Sequence, residues 1–492
     1  VPLADLPDIL LVSVDTMRRD RMAPYGQGLM PTATSLLEEG VAFDQCVAPA
    51  PWTGASFGSL LTGLWPRQHG LLANRSREGA PQSRSPLRSD VRVLAEMLRD
   101  AGYHTLCAQA NIGFMVPSFG VHRGFAEYAV WSKNWWRGPM REEWRWLLHA
   151  LQYEGLRKYV RFTLHRLAER ANRNRVPRRA PMQAGETILQ VALRMLRRAP
   201  EGKPVFLWVN FMDMHDPYCV PKGWEGDRDN SVKTRPVHLR PHGYPEEHLS
   251  DEDKRHARRC YDATARYTDH CLGGLLARWE RARRSRTRGR LTVFTSDHGE
   301  EFWDHGDTSR DPLFYTRGVA HGHTLYGELI HVPLVFHFPG VVAAARRVAG
   351  PVSLVDLVPT LVELLGLEED TSSLAGRSLV GCLTSSSAPK GGARHVFSEA
   401  ILTGPERQAC CSARYKLIHC TETGETELYA WGNDDADEKV NLANSPAHAD
   451  ALTTLKEALD GRTDEPVSAA AEAFSPEEEE QIAARLRDLG YL

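Results

Sequence analysis

At 492 residues, 42% hydrophobic and 25% charged, the chain has room for two domains and the make-up of a folded protein. Its net charge of −3 excludes bulk attraction to nucleic acid as the main theme, and no apolar run reaches the ~18 residues a membrane span needs. Nine scattered cysteines without a CxxC spacing read as reduced structural thiols; they speak against cysteine-ligated zinc and favour the cytoplasm, with periplasm or secretion left open.

The first predicted element is a buried-type strand, Ile9–Asp15, that ends in a carboxylate. Small and hydroxyl residues from Pro51 lead into a short apolar helix that stops at Gly63, and Thr53 is placed to cap it. Such a helix start is a seat for a tetrahedral anion. An amphipathic stretch, Val91–Ala101, precedes a strand at His104–Ala108. Residues 131–180 mix tryptophans with many arginines and few acids. They read first as an inserted helical hairpin with solvated arginines, and second as a contact surface for a lipid headgroup or anionic ligand. A strand at Pro204–Met212, a helix at Ala257–Arg278, and strands at Leu291–Asp297 and Val332–Phe338 follow. Strands alternating with helical patterns predict an α/β fold, a mainly parallel sheet sandwiched by helices.

Ser385–Gly392 is rich in Ser, Pro and Gly and reads as a linker, dividing a catalytic unit at 1–384 from a smaller α+β unit at 393–492. The second unit holds a hairpin pattern, Ala413–His419 and Glu427–Tyr429 about a Thr423-Gly424 turn, and closes on a charged helix, Pro476–Leu489.

The densest chemistry lies at two strand ends. Asp297-His298-Gly299 offers a hard oxygen, a borderline nitrogen and a glycine that lets the backbone turn sharply. Asp15 ends the first strand in the same manner, so one divalent-metal site is expected at the carboxyl edge of the sheet.

An ordered set of motifs extends this reading nearly end to end: Ile9–Asp15 with Tyr25-Gly26, Leu60-Leu61-Thr62-Gly63 with His69-Gly70, Gly102-Tyr103-His104-Thr105, His215-Asp216-Pro217-Tyr218, Asp297-His298-Gly299-Glu300, Val332-Pro333-Leu334, Asp356-Leu357-Val358-Pro359-Thr360 and Leu489-Gly490-Tyr491-Leu492. In these the chain resembles the sulfatase-like branch of the alkaline phosphatase superfamily. The resemblance implies metal ligands at Asp15, Asp297 and His298, with Thr53 both ligand and nucleophile. It implies substrate contacts from Asn74, Asn111 and His215, and a leaving-group acid among His215, His321 and His323.

The departures from the family pattern bear on the substrate. Sulfatases of this family carry a Cys or Ser that is oxidised to formylglycine, followed by x-Pro-x-Arg; here Thr53-Gly54-Ala55-Ser56-Phe57 stands instead. Threonine has a methyl on Cβ, so oxidation gives a ketone rather than an aldehyde. The resemblance therefore implies a hydrolase of phosphodiesters or phosphonate monoesters acting through a phosphothreonine, on a small-molecule, lipid or glycan ester. A sulfuric ester hydrolase, a phospho-group transferase and an inactive anion- or lipid-binding protein are the alternatives. Thr16 stands where the family has a second carboxylate, and a four-ligand set with one imidazole favours Mn2+ or Zn2+ over Ca2+ or Mg2+. One metal is expected; a second would need Asp213, His215, His321 and His323 to converge.

Overall fold

The computed structural model describes residues 6–75, 81–130, 185–221, 224, 250–282, 289–306, 318–384, 394–431, 437–462, 474, 479, 480 and 482. The 131–180 insert, the 385–392 linker and most of the closing helix lie outside the described residues.

Asp8–Val14 is buried along its whole length and sits inside a nine-stranded sheet. It pairs in parallel with Arg290–Ser296 on one side and Val205–Phe211 on the other. His104–Gln109 and then Glu127–Val130 continue the parallel run outward from Val205–Phe211. On the far side lie Leu334–His337, Val41–Val47 and His331–Val332 in that order, with Arg346–Ser353 also pairing to Val41–Val47. Side chains alternate between the two faces, as a pleated strand requires. Ile9 and Leu11 join one core with Phe43, Phe57, Leu60 and the helix Leu357–Leu365. Leu10, Val12 and Val14 join the other, under the helices Pro31–Glu39, Gly185–Arg198 and Asp251–Ala282.

The structure differs from the sequence expectation at the second edge. The single strand expected over Val332–Phe338 is broken at Pro333, which has no amide to give to a ladder. Its two pieces, His331–Val332 and Leu334–His337, both run antiparallel to Val41–Val47. Thr295 Oγ1 donates to the Pro333 carbonyl (2.7 Å), fixing the break beside the site. Val41–Val47 and Arg346–Ser353 escape the periodicity, the first because Asp44 and Gln45 interrupt it, the second because Gly350-Pro351 sit where its register shifts.

The C-terminal part is a four-stranded antiparallel sheet of Val396–Ser398, Arg407–Cys411, Lys416–Cys420 and Thr426–Tyr429. The helix Ala449–Asp460 covers it through Leu455 and Leu459. All nine cysteines are buried free thiols, and burial pushes those of Cys46, Cys107 and Cys411 well up. Among the described residues no helix is long and apolar enough to cross a membrane.

Candidate active site

Register explains the site. Val14 stands opposite Ser296 on the neighbouring parallel strand, so the next residues, Asp15 and Asp297, leave the sheet side by side. One ligand atom each of Asp15, Asp297 and His298 lies within 4.8 Å of the others, and all three are fully buried. Asp297 Oδ2 receives no hydrogen bond. Its Oδ1 accepts the amides of His298 (2.9 Å) and Thr16 (3.3 Å). Burial pushes the Asp297 carboxyl up to about 7, against the lowering pull of those amides.

His298 is oriented by its other nitrogen. Nδ1 lies 2.8 Å from the Gly299 carbonyl, which only accepts, so Nδ1 carries the hydrogen and Nε2 bears the lone pair. Nε2 faces Asp297 Oδ2 at 3.4 Å, Asp15 Oδ1 at 4.0 Å and Thr53 Oγ1 at 3.3 Å. Two carboxylates, an imidazole lone pair and a hydroxyl around one point, with a buried carboxylate oxygen left without a donor, fit a divalent cation.

The backbone is shaped to this end. Thr16 adopts a left-handed conformation (φ 58°), unusual for a β-branched residue. That turn aims its amide at Asp297 and lets its hydroxyl donate to the Asp15 carbonyl (2.7 Å). Ser296 Oγ lies 2.6 Å from the carbonyls of Val14 and His298, and it accepts the Met17 amide at 3.1 Å. Gly299 admits no side chain, because a Cβ there would fall 1.9 Å from the Glu328 carbonyl oxygen.

Thr53 opens the helix Thr53–Thr62 as its first helical residue. The expected cap is corrected: Trp52 holds the cap position and no side chain caps there, the Thr53 hydroxyl being turned to His298 instead. The helix is buried throughout and seated by polar contacts. Ser56 Oγ donates to the Asp297 carbonyl (2.6 Å). Burial holds His69 neutral, its imidazole pushed down to about 3, and its Nε2 reaches Ser59 Oγ and the Ala55 carbonyl, both at 3.1 Å. Phe57, at the position where the family pattern has arginine, packs edge-on against Trp208 with ring centres 5.2 Å apart.

The other expected residues divide. Asn111 is engaged at both ends: Nδ2 donates to Asp15 Oδ2 (3.0 Å), and Oδ1 accepts the amides of Gly113 and Phe114. Asn111 thus stands behind Asp15 and orients it. His321 lies against His298, ring centres 4.4 Å apart and planes tilted by 40°, and its Nδ1 is held by Glu300 at 2.9 Å. His215 packs edge-on against His321, ring centres 5.2 Å apart, with Nδ1 donating to the Asp216 carbonyl. His323 is turned elsewhere, its Nε2 2.6 Å from Glu301. Asp213 accepts the Gly185 amide at the start of Gly185–Arg198, so the convergence needed for a second metal with His215, His321 and His323 does not form. Asn74 lies in the strand Ala73–Arg75, and its side chain is outside the described residues. Sequence reasoning missed Ser296, a short hydroxyl residue with no distinguishing spacing; it noted Thr16 and Ser56 only as departures from the family pattern, without the contacts they make. It also passed over Glu300, which directly follows the Asp297-His298-Gly299 run and was visible there.

The family model of sulfatases matches residues 7–367. The chain belongs to the sulfatase family. A second model, the C-terminal region of N-sulphoglucosamine sulphohydrolase, matches residues 318–465. Relatives of this sulfatase-family chain include a sulfatase of Formosa agariphila, 23% identical over 479 residues (92% of this chain, 86% of that protein), and a choline-sulfatase of Rhizobium meliloti, 24% identical over 469 residues (89% and 83%). Among solved structures, the phosphonate monoester hydrolase of Silicibacter pomeroyi shares the fold with a TM-score of 0.65 at 20% identity, covering 94% of this chain and 97% of its own. A 2-O GAG sulfatase does so at 0.64 and 19%, covering 93% and 91%. The family is one of hydrolases, and Asp15, Asp297 and His298 form a group that could hold a divalent metal.

Proposed function

We propose that this chain hydrolyses oxyanion esters with the Thr53 hydroxyl as nucleophile. The observation that supports it is the contact of Thr53 Oγ1 with His298 Nε2, at 3.3 Å, inside the buried group that also holds Asp15 and Asp297. A divalent cation held by Asp15, Asp297 and His298 would supply the positive charge that acidifies a nearby hydroxyl and polarises the ester. The rigid helix fixes where the Thr53 oxygen stands. That oxygen, its proton released to solvent, would form the new bond to the central atom as the bond to the alcohol breaks on the opposite side. Glu300 fixes His321 through Nδ1, and in this reading His321 or its neighbour His215 gives the departing alkoxide a proton. Water then opens the threonine ester, releasing the oxyanion and restoring the hydroxyl.

The comparisons weigh toward sulfate esters of small molecules or glycans: the family model, the C-terminal model and the curated relatives all carry that name. Thr53 itself supports a second reading, phosphodiesters or phosphonate monoesters, since it cannot become the aldehyde that the family's sulfatases use. Phosphonate monoester hydrolases share the fold.

The test is turnover by the metal-stripped protein, before and after Mn2+ or Zn2+ is restored, on matched aryl sulfate, aryl phosphodiester and aryl phosphonate monoester. Preference for sulfate supports the first reading, and preference for phosphorus the second. Turnover of none of them, with metal shown to be bound, overturns both.

A further inference from the structure

We infer that Glu301, His305 and Glu328 form a second divalent-cation site, a structural one that clamps the C-terminal part onto the catalytic part. One ligand atom from each lies within 4.8 Å of the others. His305 carries the argument. Its Nε2 is 3.2 Å from the Glu438 carbonyl, an acceptor only, so Nε2 holds the hydrogen. Its Nδ1 is 2.9 Å from Glu328 Oε1, a second acceptor. A neutral ring has no other hydrogen to give, so a positive charge belongs at that contact, either as a proton or as a cation.

Glu301 selects the cation. It is fully buried; its Oε2 is bound to His323 Nε2, and its Oε1 has no hydrogen-bond partner. A proton shared by His305 and Glu328 leaves that oxygen buried and unsatisfied, which is unfavourable for a charged group. A cation bound to Glu301, His305 and Glu328 together removes it. Glu438 is also buried nearby, paired with Lys416 at 2.5 Å, and Lys439 sets a further positive charge toward His305 from the Asp304 carbonyl.

The ring is held in advance. Tyr326 stacks on His305 with centres 3.6 Å apart and planes at 10°. The arrangement repeats that of His298, where one ring nitrogen donates to a main-chain carbonyl and the other faces carboxylates. One imidazole and two carboxylate oxygens suit Zn2+ or Mn2+ better than Ca2+. All three ligands belong to the catalytic part, and Glu438, which follows the strand Thr426–Tyr429 of the C-terminal sheet, is tied to them by the hydrogen bond that its carbonyl accepts from His305.

The test compares metal content and melting temperature of the whole chain after equilibration with Zn2+ and gel filtration. The wild type should retain about two equivalents. The double variant D15N/D297N should retain about one and still melt higher when Zn2+ is added. Adding E301Q, an uncharged isostere, to that background should remove the last equivalent and the shift in melting. Anomalous scattering at the zinc edge should show density between Glu301, His305 and Glu328. If the folded double variant holds no zinc, or if wild-type crystals soaked in zinc scatter only at Asp15 and Asp297, the inference is overturned and His305 is an imidazolium paired with Glu328. Neither result depends on turnover, so it stands or falls apart from the reading of Thr53.

Discussion

Thr53 is a residue whose side chain and backbone serve different purposes. The backbone starts a helix that is buried on every side, while the hydroxyl leaves the helix to meet His298. Thr53→Ala keeps the helix and deletes the oxygen. Turnover should fall at least ~1,000-fold, the order lost when a nucleophile acting in concert with its activator is removed, while metal content measured by mass spectrometry stays near wild type. Wild-type rates in this variant would place the nucleophile elsewhere. Asn111 acts one step back. Its amide joins Asp15 Oδ2 to the turn at Gly113 and Phe114, so Asn111→Leu should weaken metal binding ~10–100-fold in a competition titration with a chelator. An unchanged affinity would show that Asp15 is held without it.

The elements are joined so that the end of the strand Arg290–Ser296 carries the reactive groups and a glycine turns the chain away from them. Gly299 has the Glu328 carbonyl where its side chain would be. Gly299→Ala should cost about 1–3 kcal/mol, seen as a lower urea midpoint, and should displace His298 and reduce turnover. A midpoint equal to wild type would mean that Glu328 yields freely. The strands bearing Asp15 and Asp297 were legible because unbroken apolar runs ending in polar groups are what a sheet buried on both faces requires. Leu334–His337 was legible as a strand but not in its direction, because hydropathy is blind to orientation and only Pro333 hinted at a break. At the site, Asp297-His298 announced itself by composition. Thr16 and Ser296 did not, since a threonine that bends backward looks in sequence like any other threonine. Asn111 was noticed for its position, yet what its amide touches depends on a loop three residues away.

At the scale of the whole molecule, charge ties the loop after the first strand to the turn that follows the second metal-ligand run. Arg18 binds Asp304 (2.7 Å) and Asp20 (2.8 Å) in a partly buried cluster. Burial alone would raise the Asp304 carboxyl, but Arg18, by charge and hydrogen bonds, and the Phe302 amide bring it down to about 2. A carboxyl that is more acidic in the fold than its ordinary 3.8 contributes stability in full above that value. The contribution is lost as pH falls from there toward about 2. The acid limb of urea midpoint against pH should therefore flatten in Asp304→Asn, with the gap between variant and wild type closing as acid is added. A constant gap down to about pH 2 would show that the pair is not what fails in acid.

The burial of every thiol gives the chain a built-in clock. Alkylation needs a thiolate and access, and at Cys46, Cys107, Cys410 and Cys411 the closed fold works against both. Brief exposure to iodoacetamide would mark only those molecules that have opened, and the position of the mark would tell which layer opened first: Cys46 and Cys107 report from the large sheet, Cys410 and Cys411 from the small one.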